Sequence, residues 1–168
     1  MQKSKIRLLC ITSMMIALSI IVERLIVPTF QGQPFRIDLG NVPILVCGLA
    51  CGPVFAGLCG AIGDILGCYF NGYAPFLLLT VSPVIVGLIP AFAAKSNRRV
   101  YFAVLICTYI AAEILWTPFG LSVMRGTAYS AEFAINLPAS LVQTVIDSVI
   151  IYCIIKSRIL ERTGIVSK

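Results

Sequence analysis

RIDLGNVPILVCGLACGPVFAGLCGAIGD, residues Arg36–Asp64, holds two apolar runs rich in small residues, joined at Cys51-Gly52-Pro53. Arg36 and Asp38 stand at one end, Asn41 lies just inside the first run, and Asp64 falls within the second. Polar and ionisable residues in a bilayer are costly and turn toward a bundle interior or a wet cavity. Short, Gly-rich apolar helices carrying a few polar groups therefore point to a membrane cavity that handles a polar molecule.

The rest of the chain fits a bilayer. Hydrophobic residues make up 59% of the 168 and charged residues 12%, about half the usual charged share of a soluble domain. With a mean hydropathy of +0.98, the chain has too little polar surface to cover itself in water. A cleavable leader is not expected, since the first apolar run continues past Pro28 without a small-residue cleavage site. The seven cysteines are an odd number set inside apolar runs, and they read as small packing residues. Cys47 and Cys51 share a helix face, but without histidine or a second cysteine pair they make no zinc site.

Apolar runs between charges and turn signals predict six helices, at roughly 6–27, 38–51, 53–71, 74–94, 99–118 and 133–157. The expected fold is an all-α integral membrane protein, with six transmembrane helices in one bundle and residues 1–168 as a single domain. The second helix is short for a hydrocarbon core that needs ~20 residues, so it should be tilted, buried by neighbours or continuous with the third. Six spans leave both termini on one side. That side holds Lys3, Lys5, Arg7, Lys95, Arg98, Arg99, Lys156, Arg158, Arg162 and Lys168, ten of the thirteen basic residues. The positive-inside rule makes it cytoplasmic, so the net charge of +6 calls for no nucleic-acid partner.

Arg24, Arg36 and Arg125 remain on the outer side. They either reach the headgroups and pair with Glu23, Asp38 and Glu132, or form an anion site. Small residues at spacing four (Gly48 and Gly52, Ala56 and Gly60, Gly63 and Gly67) predict close helix packing, and Ser13 and Ala17 repeat the pattern on the first helix. Pro75 to Pro90 reads as a broken fourth helix in which Thr80 and Ser82 offer hydroxyl contacts or bond back to their own backbone. Asp64, Glu113 and Asp147 lie in apolar runs with no spacing for an acid/base pair or a metal cluster. A P-loop, G-x-S-x-G and H-E-x-x-H are all missing from the sequence. The chain thus has no ATPase, no catalytic residues and no cofactor site of its own by motif.

A basic N-terminus and Ser13-x-x-x-Ala17 are followed by Arg24, RIDLGNVPI (36–44), GPVFAGLCGAIGDILG (52–67), LTVSPVIVGLIPA (79–91) and NLPASLVQ (136–143). This order resembles the S components of energy-coupling-factor (ECF) vitamin transporters, most closely the folate-type branch, over nearly the whole chain. The resemblance implies a multi-pass protein of the bacterial cell membrane that captures a vitamin at an outward pocket. It also implies docking, through the Ser13 and Ala17 surface, onto a membrane scaffold driven by two cytoplasmic ATPases, with toppling in the membrane to release the cargo.

In the folate branch an arginine matching Arg24, and residues around the fourth-helix motif, contact the ligand. Thr80 and Ser82 match that motif, whereas Leu77-Leu78-Leu79 stand where Pro-Gly-Phe is common. Ser140 and Gln143 replace a basic pair, and Arg125 stands where tyrosine is frequent. Folate has an aromatic pteridine and an anionic tail. Tyr73, Phe76, Trp116 and Tyr129 would suit the ring, Arg24, Arg36 or Arg125 the carboxylates, and Asn41, Thr80 and Ser82 further polar contacts. An S component for riboflavin, pantothenate or a queuosine precursor stays open. So does a non-transport membrane protein, such as an assembly factor or an intramembrane enzyme using Asp64 or Glu113.

Overall fold

The computed structural model describes residues 2–23, 39–70, 72 and 74–157, so Arg24, Arg36 and Tyr73 lie outside the described residues. Helices account for nearly all of them: α1 (Gln2–Ile21), α2 (Asn41–Cys51), α3 (Pro53–Phe70), α4 (Leu77–Phe92), α5 (Arg98–Tyr109), α6 (Thr117–Arg125) and α7 (Tyr129–Lys156). A π-helical segment, Ile110–Trp116, joins α5 to α6, so that Arg98–Arg125 form one apolar rod of 28 residues. The chain is an all-α integral membrane protein.

Contacts give the topology. Thr12 meets Cys47 and Ser19 meets Gly40, so α1 and α2 run antiparallel. Gly60 abuts Pro83 while Asp64 meets Thr80, which sets α3 antiparallel to α4. Tyr109 meets Asp147 and Phe102 meets Tyr152, which does the same for α5 and α7. One end of the bundle therefore holds Cys51–Pro53, Lys95–Arg98 and Lys156, and the other holds Gly40, Phe76 and Arg125–Tyr129.

The helices are turned inside out relative to those of a water-soluble protein. On α3, Val54, Leu58, Ile62 and Leu66 form an exposed stripe, while Ala56, Gly60, Gly63 and Gly67 are buried. On α7, Val142, Val145, Val149 and Tyr152 face out, while Glu132, Gln143 and Asp147 are buried with Ala139 and Ile151. Lipid offers no hydrophobic drive for helix association, so small residues that admit close backbone approach take the contact face and apolar bulk faces the acyl chains. At Gly60 a β-carbon would stand 2.5 Å from the Pro83 carbonyl oxygen.

The second helix spans 11 residues, about 16 Å at 1.5 Å per residue. It is an internal element, buried at Asn41, Pro43, Ile44, Leu45, Cys47 and Gly48 and touching α1, α3, α4 and α7. Gly52, at φ +96, turns the chain from α2 into α3 within one residue. The cysteines behave as packing residues there, with Cys47 and Cys59 fully buried beside Ile44. A larger apolar core of Leu45, Val86, Tyr101, Leu105, Tyr109, Ala112 and Ile151 fills the half nearer Lys95.

Three sequence expectations need correction. The fourth helix is not broken: Leu77–Phe92 stays helical with Pro83 and Pro90 inside it. Pro83 has no N–H to give the Leu79 carbonyl, and one residue earlier the Trp116 indole donates to the Leu78 carbonyl at 2.7 Å. Likewise the fifth helix does not stop near Pro118. The π turn shifts the Thr117 N–H onto the Ala112 carbonyl, which absorbs the proline and carries the rod on to Arg125. The last helix begins at Tyr129 rather than near 133.

Candidate ligand site

The half of the bundle away from Lys95 holds a cluster of intramembrane polar groups. The π turn is the organising feature. Because the Thr117 N–H is drawn back to Ala112 and Pro118 has no N–H, the Glu113 carbonyl lacks the donors a regular helix would supply. Ser140 of α7 reaches it at 3.4 Å. The same turn swings the Glu113 side chain toward α2 and α4. Its Oε1 accepts from Ser82 Oγ at 3.1 Å and from Asn41 Nδ2 at 3.4 Å, and Oε2 lies 3.4 Å from Thr117 Oγ1. Ser82 and Thr117 are also 3.2 and 3.0 Å from the Ala112 carbonyl and 3.3 Å from each other. Asn41 and Ser82 are buried, whereas Glu113 stays half-buried among these helices.

A second group lies one layer toward the same end. Thr80 Oγ1 donates to Asp64 Oδ2 at 2.7 Å and sits 3.4 Å from the Phe76 carbonyl. Phe76 itself is half-buried at the start of α4. Trp116 packs on Phe119 with ring centroids 5.9 Å apart. Thr80 and Ser82 thus bond across helices and not merely to their own backbone. Asn41, Phe76, Thr80, Ser82 and Trp116 come together in this half of the bundle.

Two predicted residues stand apart at its end. Arg125 is exposed, and its Nη1 lies 3.2 Å from both oxygens of the buried Glu132, which also accepts from Thr127 at 2.9 Å. Tyr129 is exposed and stacks obliquely on Phe133 at 5.9 Å. Arg24, Arg36 and Tyr73 lie outside the described residues. Ser13 and Ala17 share an exposed face of α1 with Leu9, Met14 and Leu18, and Ser13 bonds back to the Leu9 carbonyl at 3.0 Å.

Sequence reasoning gave Glu113, Thr117 and Asp64 no place in the ligand site. The signal that singles out Glu113 is Pro118 five residues on, a proline in an apolar run that a π turn can absorb. Deeper in the bundle, the Asp147 carboxylate that the sequence also set in an apolar run is fully buried and accepts from Tyr109 at 2.6 Å and Gln143 at 2.7 Å.

Residues 7–156 match the family described as ECF transporter, substrate-specific component. The chain belongs to that family. It is therefore a transporter component and a multi-pass membrane protein. It is also similar to the protein named "Folate transporter FolT" of Clostridium novyi (strain NT), with 28% identity over 155 residues covering 88% of this chain and 87% of that protein. This S component thus aligns with its relative over most of both chains, and the polar half-bundle falls within the family match.

Proposed function

We propose that this S component binds folate, the compound in the name of its relative "Folate transporter FolT", and delivers it to an ECF module. The single observation carrying this reading is the polar layer of Asn41, Thr80, Ser82, Glu113 and Trp116 in one half of an apolar bundle. Polar side chains in lipid persist where they serve a ligand or a pathway. The excess of basic residues that the sequence assigns to the cytoplasmic side supports an outward-facing layer, toward the extracytoplasmic side of the bacterial cell membrane. The whole chain acts as one transmembrane domain and performs no catalysis of its own.

Phe76, Trp116, Tyr73 and Tyr129 supply rings for the pteridine, and Arg24, Arg36 or Arg125 supplies the cation for the glutamate carboxylates. The exposed small-residue face at Ser13 and Ala17 docks on the membrane scaffold, and two separate ATPases drive release. Calorimetry on the full chain in detergent should show sub-micromolar folate binding, weakened at least tenfold in Arg24→Ala, about 1.4 kcal/mol. Tight binding of riboflavin or pantothenate with no response to any folate would overturn the assignment.

A further inference from the structure

We propose that the outer face of α5 and α7, at the end of the bundle near Arg98 and Lys156, holds one anionic phospholipid. Its phosphate is held by those two cations, and its acyl chains lie along the apolar flank of the same helices. The inference does not depend on which vitamin the protein binds, because this surface lies away from the polar layer.

Two helices bring the groups together. The Arg98 guanidinium carbon stands 5.6 Å from the centre of the Tyr152 ring, and that ring packs obliquely on Phe102 at 6.0 Å. Phe102 is one turn on from Arg98 in α5, and Lys156 is one turn on from Tyr152 in α7. An aromatic pair is thus flanked by two cations, one from each helix. Arg98, Tyr152 and Lys156 are all exposed. Among the described residues neither cation pairs with a carboxylate, and residues 95–99 and 152–157 contain no acidic side chain. Arg98 and Arg99 also occupy the first turn of α5, where a cation opposes the helix dipole, and no acidic residue or side-chain cap offsets them there. Local helix stability does not account for these charges.

Depth and chemistry select the partner. Arg98–Arg125 and Tyr129–Lys156 each run 28 residues, about 42 Å at 1.5 Å per residue, against a hydrocarbon core of ~30 Å. Their end turns therefore lie at the level of the lipid headgroups, where tyrosine is enriched. The Tyr152 ring covers one face of the guanidinium and leaves its N–H edge free for phosphate oxygens, which arginine binds in pairs. Deeper along the same helices, Ile106 is one turn from Phe102 and Val149 one turn from Tyr152, both exposed, so the acyl chains meet an apolar track. A zwitterionic lipid brings its own cation to the phosphate and gains less from Arg98 and Lys156. A free phosphate makes no use of the track.

Native mass spectrometry of the full chain, released from non-ionic detergent, tests this with phosphatidylglycerol and phosphatidylcholine of matched acyl chains. The wild type should hold one phosphatidylglycerol at least fivefold more tightly than phosphatidylcholine. Arg98→Gln and Lys156→Gln should each lower that preference about fivefold, the effect of one basic residue near a membrane surface. Arg99→Gln removes the same charge from the same end, about 100° further round the helix, and should lower it less than twofold. Tyr152→Leu, which drops the ring, should weaken phosphatidylglycerol binding at least twofold, whereas Tyr152→Phe should keep it. A wild-type preference below fivefold overturns the proposal without any variant. A loss in Arg99→Gln as large as that in Arg98→Gln also overturns it, because net charge and not a site would then attract the lipid. Displacement of the lipid by millimolar inorganic phosphate would make the ligand a free anion and overturn the lipid assignment.

Discussion

The carboxylates of Asp64, Glu113 and Asp147 are three versions of one physical problem, an ionisable group carried into an apolar bundle. Each is met by hydroxyl or amide donors from another element: Thr80 for Asp64, Ser82 and Asn41 for Glu113, Tyr109 for Asp147. Asp147 is the tightest, with a 2.6 Å phenol and a 2.7 Å amide around a group with no exposed surface. Tyr109→Phe removes a donor and leaves a buried oxygen short of a bond, which costs about 1–3 kcal/mol. Thermal unfolding in detergent should show that loss, with folate affinity changed less than threefold because the pair lies deeper than the polar layer. Glu132 belongs to a different class. Its partner Arg125 is exposed, and an ion pair open to solvent is worth about 1 kcal/mol or less. Asp64, Glu113 and Asp147 were visible in the sequence as anomalies, but the donors that reach them from other helices were not, because those come from 16 to 72 residues away.

At the scale of the helix, small residues and prolines decide how closely elements pack and where they continue. Gly60 and Gly63 sit on the same buried face of α3, yet they make opposite predictions. A β-carbon at Gly60 would meet the Pro83 carbonyl at 2.5 Å, while one at Gly63 would find Ser19 Oγ at 3.7 Å, an ordinary contact. Gly60→Ala should therefore destabilise the bundle by about 1–3 kcal/mol through forced backbone movement. Gly63→Ala should be neutral or slightly stabilising, since alanine is the better helix former. Paired thermal melts of the two variants check both. The sequence spacing predicted close packing at both positions alike; only the crossing point of α3 and α4 separates them. Pro83, Pro90 and Pro118 show the same limit. Local propensity reads each as a break, but tertiary partners and a π turn keep all three inside continuous helices.

For the whole molecule, the proposed capture site and the proposed docking face lie on different surfaces of the bundle. The polar layer lies among α2, α4, the π turn and α7, whereas the exposed face of α1 at Ser13 and Ala17 belongs to another surface. Ala17→Leu should leave folate affinity in detergent unchanged and abolish uptake in cells that supply the scaffold and ATPases. Uptake persisting in that variant would remove the docking role. Membrane class, helix count and the segregation of basic residues were determined by the sequence alone. All three follow from composition and from the length of apolar runs, properties that a one-dimensional pattern carries in full. The depth of α2 and the unbroken rods through Pro83 and Pro118 were decided only in three dimensions. So was the meeting of Asn41, Ser82 and Glu113 around one carboxylate. A hydrogen bond or a close approach depends on which helices face each other and in what register, and spacing along a single chain does not contain that information.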